Sequence, residues 1–220
     1  MDCIETYRLF GGGFNPQLLP DTNRGSLHLK PRIGIVIGST RPSRFGEKPA
    51  NWIYDIARKR TDLDFELIDL RDYKLPLFNE PISPAWGPLK NEEALRWQAK
   101  LASLDGFILV TPEYNHGPSA VLKNALDYAH KEFIRKPVAF VGYGAVGAAR
   151  AVEQLRLVTA ELQMVSARHA VHIGGGDFLG LFQLGKSFDD FPHLAKSTEP
   201  MLDELAWWAT LLKPAREKAA

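Results

Sequence analysis

Three short segments of the 220-residue chain gather side chains whose types and spacing suit chemistry. The first, GSTRPSRFGEK at 38–48, offers the hydroxyls of Ser39, Thr40 and Ser43, the guanidiniums of Arg41 and Arg44, and Gly46 just ahead of a helical pattern. A phosphate suits this set. Backbone amides at a helix start point toward an anion, the helix dipole favours it, and arginine adds charge-assisted hydrogen bonds. It is not a Walker loop, because Gly38 and Gly46 lie too far apart and no Gly-Lys-Ser/Thr follows. Composition alone leaves open the plainer reading of a polar strand-to-helix turn.

The second segment, TPEYNHGPSA at 111–120, places Pro112 at a turn, with the flat face of Tyr114 and the amide of Asn115 after it. That combination suits a flat heteroaromatic ring needing a wall and edge contacts. His116 invites an acid–base role, but no cysteine or serine nucleophile accompanies it, and a lone loop histidine is more often structural or solvated. Glu113 is expected to hold the loop or cap a neighbour.

The third, FVGYGAVGAAR at 140–150, spells G-x-G-x-x-G at Gly142, Gly144 and Gly147. A dinucleotide fingerprint belongs in the first strand–helix turn of its unit and is followed about 20 residues on by an acidic residue. Here the motif follows a fourth strand, and the next strand ends in AVHIG. The better fit has Gly142 and Gly144 letting backbone approach a planar ligand beside Tyr143. The alternative is that the glycines only permit close helix–strand packing.

The elements that must position these segments alternate. Apolar runs at RIGIVIGS, DFELIDL, GFILVTP, KPVAFVGYG and MVSARHAVHIG predict five strands, the continuous ones buried on both faces. Between them, helical periods run through GEKPANWIYDIARKR, about 92–104, PSAVLKNALDYAHK and AARAVEQLRLVTAEL, with a last helix at about 198–213. Such alternation predicts an α/β fold, a doubly wound parallel sheet with helices on both faces. Ligands then bind at the carboxyl ends of the strands, where strand order reverses. Residues 174–196 read as an insertion without a regular period, and 1–30, with Gly11-Gly12-Gly13, as a flexible extension or misassigned start ahead of one domain at 31–220. Asp2 and Glu5 stand where a signal peptide needs positive charge.

Composition narrows the classes further. The net charge of +1, with both signs interleaved, gives no footprint for nucleic acid or a membrane surface. No apolar run approaches the roughly 18 residues of a membrane helix. The lone Cys3 excludes an internal disulfide and a cysteine-rich metal site and is compatible with the cytoplasm. His169 and His172 alternate on the fifth strand and are expected to be buried or hydrogen-bonded, and Trp207 and Trp208 to pack or serve a subunit contact.

GSTRPSRFGEKPANW, DLRDYKLPLFNEP, TPEYNHGPSAVLKNALDY and VGYGAVGAARAVEQLRLV, in that order, resemble the NADPH-dependent FMN reductases, flavodoxin-like enzymes with quinone-, azo- and chromate-reducing members. The resemblance runs from about 32 to 173, and Pro112-Glu113-Tyr114-Asn115 with the following LKNALD is its most specific part. It implies strand order 2-1-3-4-5 and one FMN per subunit. Ser39, Arg41, Ser43, Arg44 and Gly46 would hold the phosphate; Pro112, Glu113, Tyr114 and Asn115 would line the ring; Gly142, Tyr143, Gly144 and Ala145 would close the site. The family's third loop often reads Ser-Tyr-Gly-Gly, so a hydroxyl is lost at Gly142 and a methyl gained at Ala145. The expected activity is ping-pong transfer from NADPH or NADH, through flavin, to a small acceptor: a quinone, azo compound, free flavin or metal oxyanion. A homodimer or homotetramer is implied, with LPLFNEPISPAW as a candidate contact. Two rivals remain: a flavodoxin-type carrier without NAD(P)H turnover, against which the near-neutral charge counts, and a flavin-free nicotinamide dehydrogenase, against which the missing acidic residue counts.

Overall fold

The computed structural model describes residues 30–218; apart from Lys30, the expected extension at 1–30 lies outside the described residues. Three apolar runs become strands whose residues are buried almost without exception: β1 (Arg32–Ile37), β3 (Gly106–Pro112) and β4 (Pro137–Tyr143). The more mixed runs form β2 (Asp64–Asp69) and β5 (Val165–Ile173) and take the edges. Every pairing is parallel, in the order β2-β1-β3-β4-β5. The chain leaves β1 for the edge, then returns to β3 on β1's other side. The strand order therefore reverses between β1 and β3, and a crevice opens at their carboxyl ends.

Helices α1 (Glu47–Ala57), α2 (Glu92–Ala102), α3 (Ala120–Asp127) and α4 (Ala149–Glu161) fill the crossovers. On one face α1 buries Ala50, Ile53 and Ala57 against the sheet; on the other lie Trp97 of α2, Leu122 of α3 and Leu155 of α4. Each large aliphatic side chain so buried contributes about 1.5–3 kcal/mol of transfer free energy. Asn91 caps α2 by accepting from the Ala94 amide, and Ser119 caps α3 by accepting from Leu122. The Ser119 hydroxyl also donates to the Gly38 carbonyl, which ties α3 to the loop after β1.

The segment 174–196 is more ordered than its sequence predicts. It contains α5 (Gly175–Phe182) and a 3-10 turn at Phe188–Asp190, and the last helix, α6 (Pro192–Glu217), begins at Pro192 rather than at 198. Proline at a helix's first position costs no hydrogen bond there. The segment is held by rings: Phe45 meets Phe178 edge-on at 5.3 Å, and Trp52 of α1 stacks on Phe188 at 4.4 Å. These contacts cross more than a hundred residues of sequence and leave no periodic trace.

At the amino ends of the strands, Asp105 joins Lys213 at 2.8 Å and Arg216 at 2.6 Å, and accepts from the Arg32 amide. Lys136 is buried nearby, its ammonium donating to the Leu101 carbonyl at 2.8 Å. Burial, followed by the Arg216 charge, lowers its pKa to about 8.

Candidate active site

The loop after β1 is held from the side of β2. The Arg44 side chain is 2% exposed, and each of its five N–H groups is engaged. Nε and one Nη2 hydrogen reach Glu47, one Nη1 hydrogen reaches the Ser39 carbonyl, and the remaining two grip both oxygens of Asp69 at the end of β2. Guanidinium has no sixth donor. The sequence reading put Arg44 on a phosphate; the structure places all its donors in this network. Arg71, two residues beyond Asp69, binds Glu47 and the carbonyls of Arg41 and Pro42. Burial alone would raise the Asp69 carboxyl pKa, but the Arg44 guanidinium and the Arg71 amide outweigh it and hold the group below the ordinary carboxylate value.

This network orients the loop's amides. A trans peptide points its carbonyl and the following N–H in opposite directions. With the Ser39 and Pro42 carbonyls drawn toward β2, the Thr40 and Ser43 amides face the other way, and among the described residues neither has an acceptor in the protein. Both lie ahead of the amino terminus of α1. Among the described residues the buried Ser39 hydroxyl has no hydrogen-bond partner, and the Tyr143 phenol is near enough for Ser39 to act against the burial that raises the phenol's pKa. Ser43 is exposed. Arg41, also exposed, turns across the mouth of the crevice, its guanidinium 5.9 Å from the centre of the Tyr114 ring.

The loop after β3 folds into a tight hairpin in which Tyr114 and Gly117 exchange backbone hydrogen bonds of 2.9 and 3.1 Å. Asn115 (φ 49°) and His116 (φ 71°) both adopt left-handed conformations. Asparagine tolerates this; histidine does so at a cost of about 1 kcal/mol. The hairpin is clamped from α4: Gln154 donates to the His116 carbonyl, and Arg150 donates to His116 Nε2 at 2.7 Å. Glu113, its side chain 6% exposed, pairs with Arg150 and accepts from the Arg150 and Ala151 amides. Ala148, at the start of α4, has no capping side chain, and Glu113 supplies the cap from another loop. Burial pushes Glu113's pKa upward, but Arg150 and these amides more than offset it. Tyr114 and Asn115 stay exposed at the mouth, beside buried Pro112.

At the end of β4 and in the loop after it, the three glycines divide their duties. A Cβ on Gly142 would lie 2.4 Å from the Gly147 carbonyl oxygen, and one on Gly147 (φ 64°) 2.9 Å from His172 Cβ. Those two permit packing, the plainer of the sequence alternatives. Gly144 differs: its φ is 140°, and a Cβ would meet nothing nearer than the Glu113 amide at 4.0 Å. Open space lies above it, and Ala145 beside it is exposed. The Tyr143 ring is 4% exposed, packs 5.3 Å from Phe45, and sets its phenol against Gly46. Its side chain forms the floor of the loop after β1, and burial raises its pKa. The expected contacts at Gly142 and Tyr143 are thus not side-chain surfaces open to a ligand, whereas Gly144 and Ala145 are open.

Sequence reading gave no role to Asp69, Arg71, Arg150 or Gln154, although all four stand inside the stretches that carry the family resemblance. His172 hydrogen-bonds the Gly147 carbonyl and His169 pairs with Glu204. Trp207 and Trp208 meet edge-on on α6 and line a surface groove.

The chain has known relatives. The profile of the NADPH-dependent FMN reductase family matches residues 31–177. An NAD(P)H-dependent FMN reductase of Schizosaccharomyces pombe is 37% identical over 140 residues, covering 63% of this chain and 70% of that protein. A quinone reductase of Pseudomonas putida is 30% identical over 193 residues, covering 81% and 95% respectively. Among solved structures, FerB, a flavoenzyme NAD(P)H:(acceptor) oxidoreductase of Paracoccus denitrificans, superposes with a TM-score of 0.60 at 22% identity, over 83% of this chain and 98% of its own, a likeness of fold.

Proposed function

Since the chain belongs to the NADPH-dependent FMN reductase family, an FMN-containing, NAD(P)H-dependent group of oxidoreductases, we propose that its flavin lies across the carboxyl ends of β1, β3 and β4 and passes electrons to a small acceptor. The observation that supports this most directly is the loop after β1, with the partnerless Ser39 hydroxyl, two outward amides and Arg41 together beside a helix start. These groups fit a phosphate monoester, and the open space over Gly144 fits a flat ring.

When bound, FMN supplies hydride acceptance at N5 and onward two-electron transfer. The protein's part is to bind and orient. The Thr40 and Ser43 amides, the Ser39 and Ser43 hydroxyls and Arg41 hold the phosphate, with Gly46 and Arg44 shaping that loop from behind. Tyr114, Asn115 and Pro112 line the ring, and Gly144 and Ala145 close over it. Glu113 acts from behind, by fixing the hairpin to α4. Donor and acceptor share one open face, so they bind in turn and the kinetics are ping-pong. A quinone is the first acceptor to test, in line with the name of the Pseudomonas relative; azo compounds, free flavin and metal oxyanions belong to the same panel. The connection at 75–86 exposes Leu77 and Trp86 by 80% and 82%, which supports its use in a homodimer or homotetramer. A cytoplasmic setting completes the reading; no helix among the described residues is long and apolar enough to cross a membrane.

The test is titration of flavin-free protein with FMN, then anaerobic addition of NADPH. Saturable changes in the flavin spectrum followed by rapid bleaching are expected, with parallel lines in double-reciprocal plots when NADPH and quinone are varied. Absence of binding overturns the site. Binding without bleaching favours the flavodoxin-type carrier.

A further inference from the structure

We infer that Asp69, Arg71, Glu47 and Arg44 act together as a brace that pre-sets the anion loop, with Arg44 a positioning residue rather than a phosphate ligand. This rests on the proposed FMN site and assigns roles to residues outside its expected ligand set.

Two features carry the inference. First, the donors of Arg44 are fully committed: five N–H groups meet Glu47, Asp69 and the Ser39 carbonyl. Turning one toward a phosphate would break a bond inside a nearly buried guanidinium. Second, the network is electrically balanced. Two arginines face two carboxylates, so it adds no net attraction for an anion. Its effect is geometric. Arg44 and Arg71 take the carbonyls of Ser39, Arg41 and Pro42, which would otherwise repel a phosphate, and turn them toward β2. Glu47, in the first turn of α1, would oppose an anion at that terminus; the same arginines neutralise it. Edge strand β2 thus reaches the site through Asp69, which binds Arg44 and the Arg71 amide. Attraction itself is left to Arg41, the amides and the helix terminus.

The experiment compares FMN with riboflavin, which lacks the phosphate, by fluorescence titration of flavin-free wild type, Asp69→Asn and Arg71→Gln. The brace predicts that Asp69→Asn weakens FMN about tenfold, the worth of one lost orienting hydrogen bond, while riboflavin affinity is unchanged. Arg71→Gln, at a more exposed residue, behaves the same way and serves if Asp69→Asn does not fold. A purely structural role would weaken both ligands alike, leaving their ratio at the wild-type value, and would overturn the inference. Were Arg44 a direct ligand, Asp69→Asn would free it and tighten FMN, which would also overturn it. If wild type itself binds FMN no better than riboflavin, the proposed phosphate site fails first.

Discussion

Replacing Gly46 with alanine tests how tightly the loop after β1 rests on its floor. Gly46 has φ −56° and ψ −19°, a helical conformation that alanine adopts freely. Backbone entropy alone would therefore favour the substitution by about 0.4–1 kcal/mol. The new methyl, however, would lie 2.6 Å from Tyr143 Oη and 3.3 Å from Cζ. Tyr143 cannot swing aside, because its ring is 4% exposed and packs 5.3 Å from Phe45. Overpacking of this kind costs about 1–3 kcal/mol, so Gly46→Ala should destabilise by a net ~1–2 kcal/mol. Tyr143→Phe deletes the struck oxygen and leaves contacts that a shift of a few tenths of an ångström relieves. The double variant should recover about 1 kcal/mol of the loss, a coupling expected only between touching groups. Urea denaturation of the four flavin-free proteins measures the cycle. A Gly46→Ala protein as stable as wild type, or two substitutions that simply add, would refute the packing described here.

Glu113→Gln should destabilise by about 1–3 kcal/mol, because it removes the charge that caps α4 and leaves Arg150 uncompensated; urea midpoints at pH 7 check this. The same depressed carboxyl contributes stability that is present above its unfolded pKa and lost as pH falls through the folded value. The wild-type advantage over Glu113→Gln should therefore shrink on acidification below about pH 4. Lys136, with its pKa lowered to about 8, acts in the same direction in a higher pH range. Between that value and the unfolded one the unfolded chain binds more protons, so stability should rise with pH from 8 upward. In Lys136→Met that rise should be smaller, as compared by urea midpoints at pH 7, 8, 9 and 10. Trp52→Ala should cost about 3–5 kcal/mol at most, less for its partial exposure, and should expose 188–190 to protease in limited digestion, since it removes the ring that stacks on Phe188.

What could be read from sequence, and what could not, follows from the range of the interactions. β1, β3 and β4 were recognisable because strands covered on both faces are unbroken apolar strings, and the loops that follow them were expected to matter from topology alone. Individual roles within those loops were not recognisable. Arg44 has the composition of a phosphate ligand, yet its donors go to Glu47, the Ser39 carbonyl and Asp69, the last 25 residues away. Glu113 caps a helix 37 residues downstream, replacing a local cap that Ala148 lacks. Gly142, Gly144 and Gly147 look equivalent in a motif, yet their neighbours in space differ. α5 went unseen because its three glycines weaken the helical signal and its anchors are the distant Phe45 ring and the Lys48 ammonium of α1, which donates to the Leu181 carbonyl.

The divided duties of those glycines also mark where the protein will accept redesign. Gly142 and Gly147 are fixed pegs, each backed by atoms that leave no room for a methyl. Between them, Gly144, Ala145 and Val146 face outward and press on little. A library confined to 145–146, with the pegs untouched, would vary an exposed surface at the carboxyl end of β4 while sparing the scaffold, and on the proposed site it offers a short cassette for steering acceptor preference.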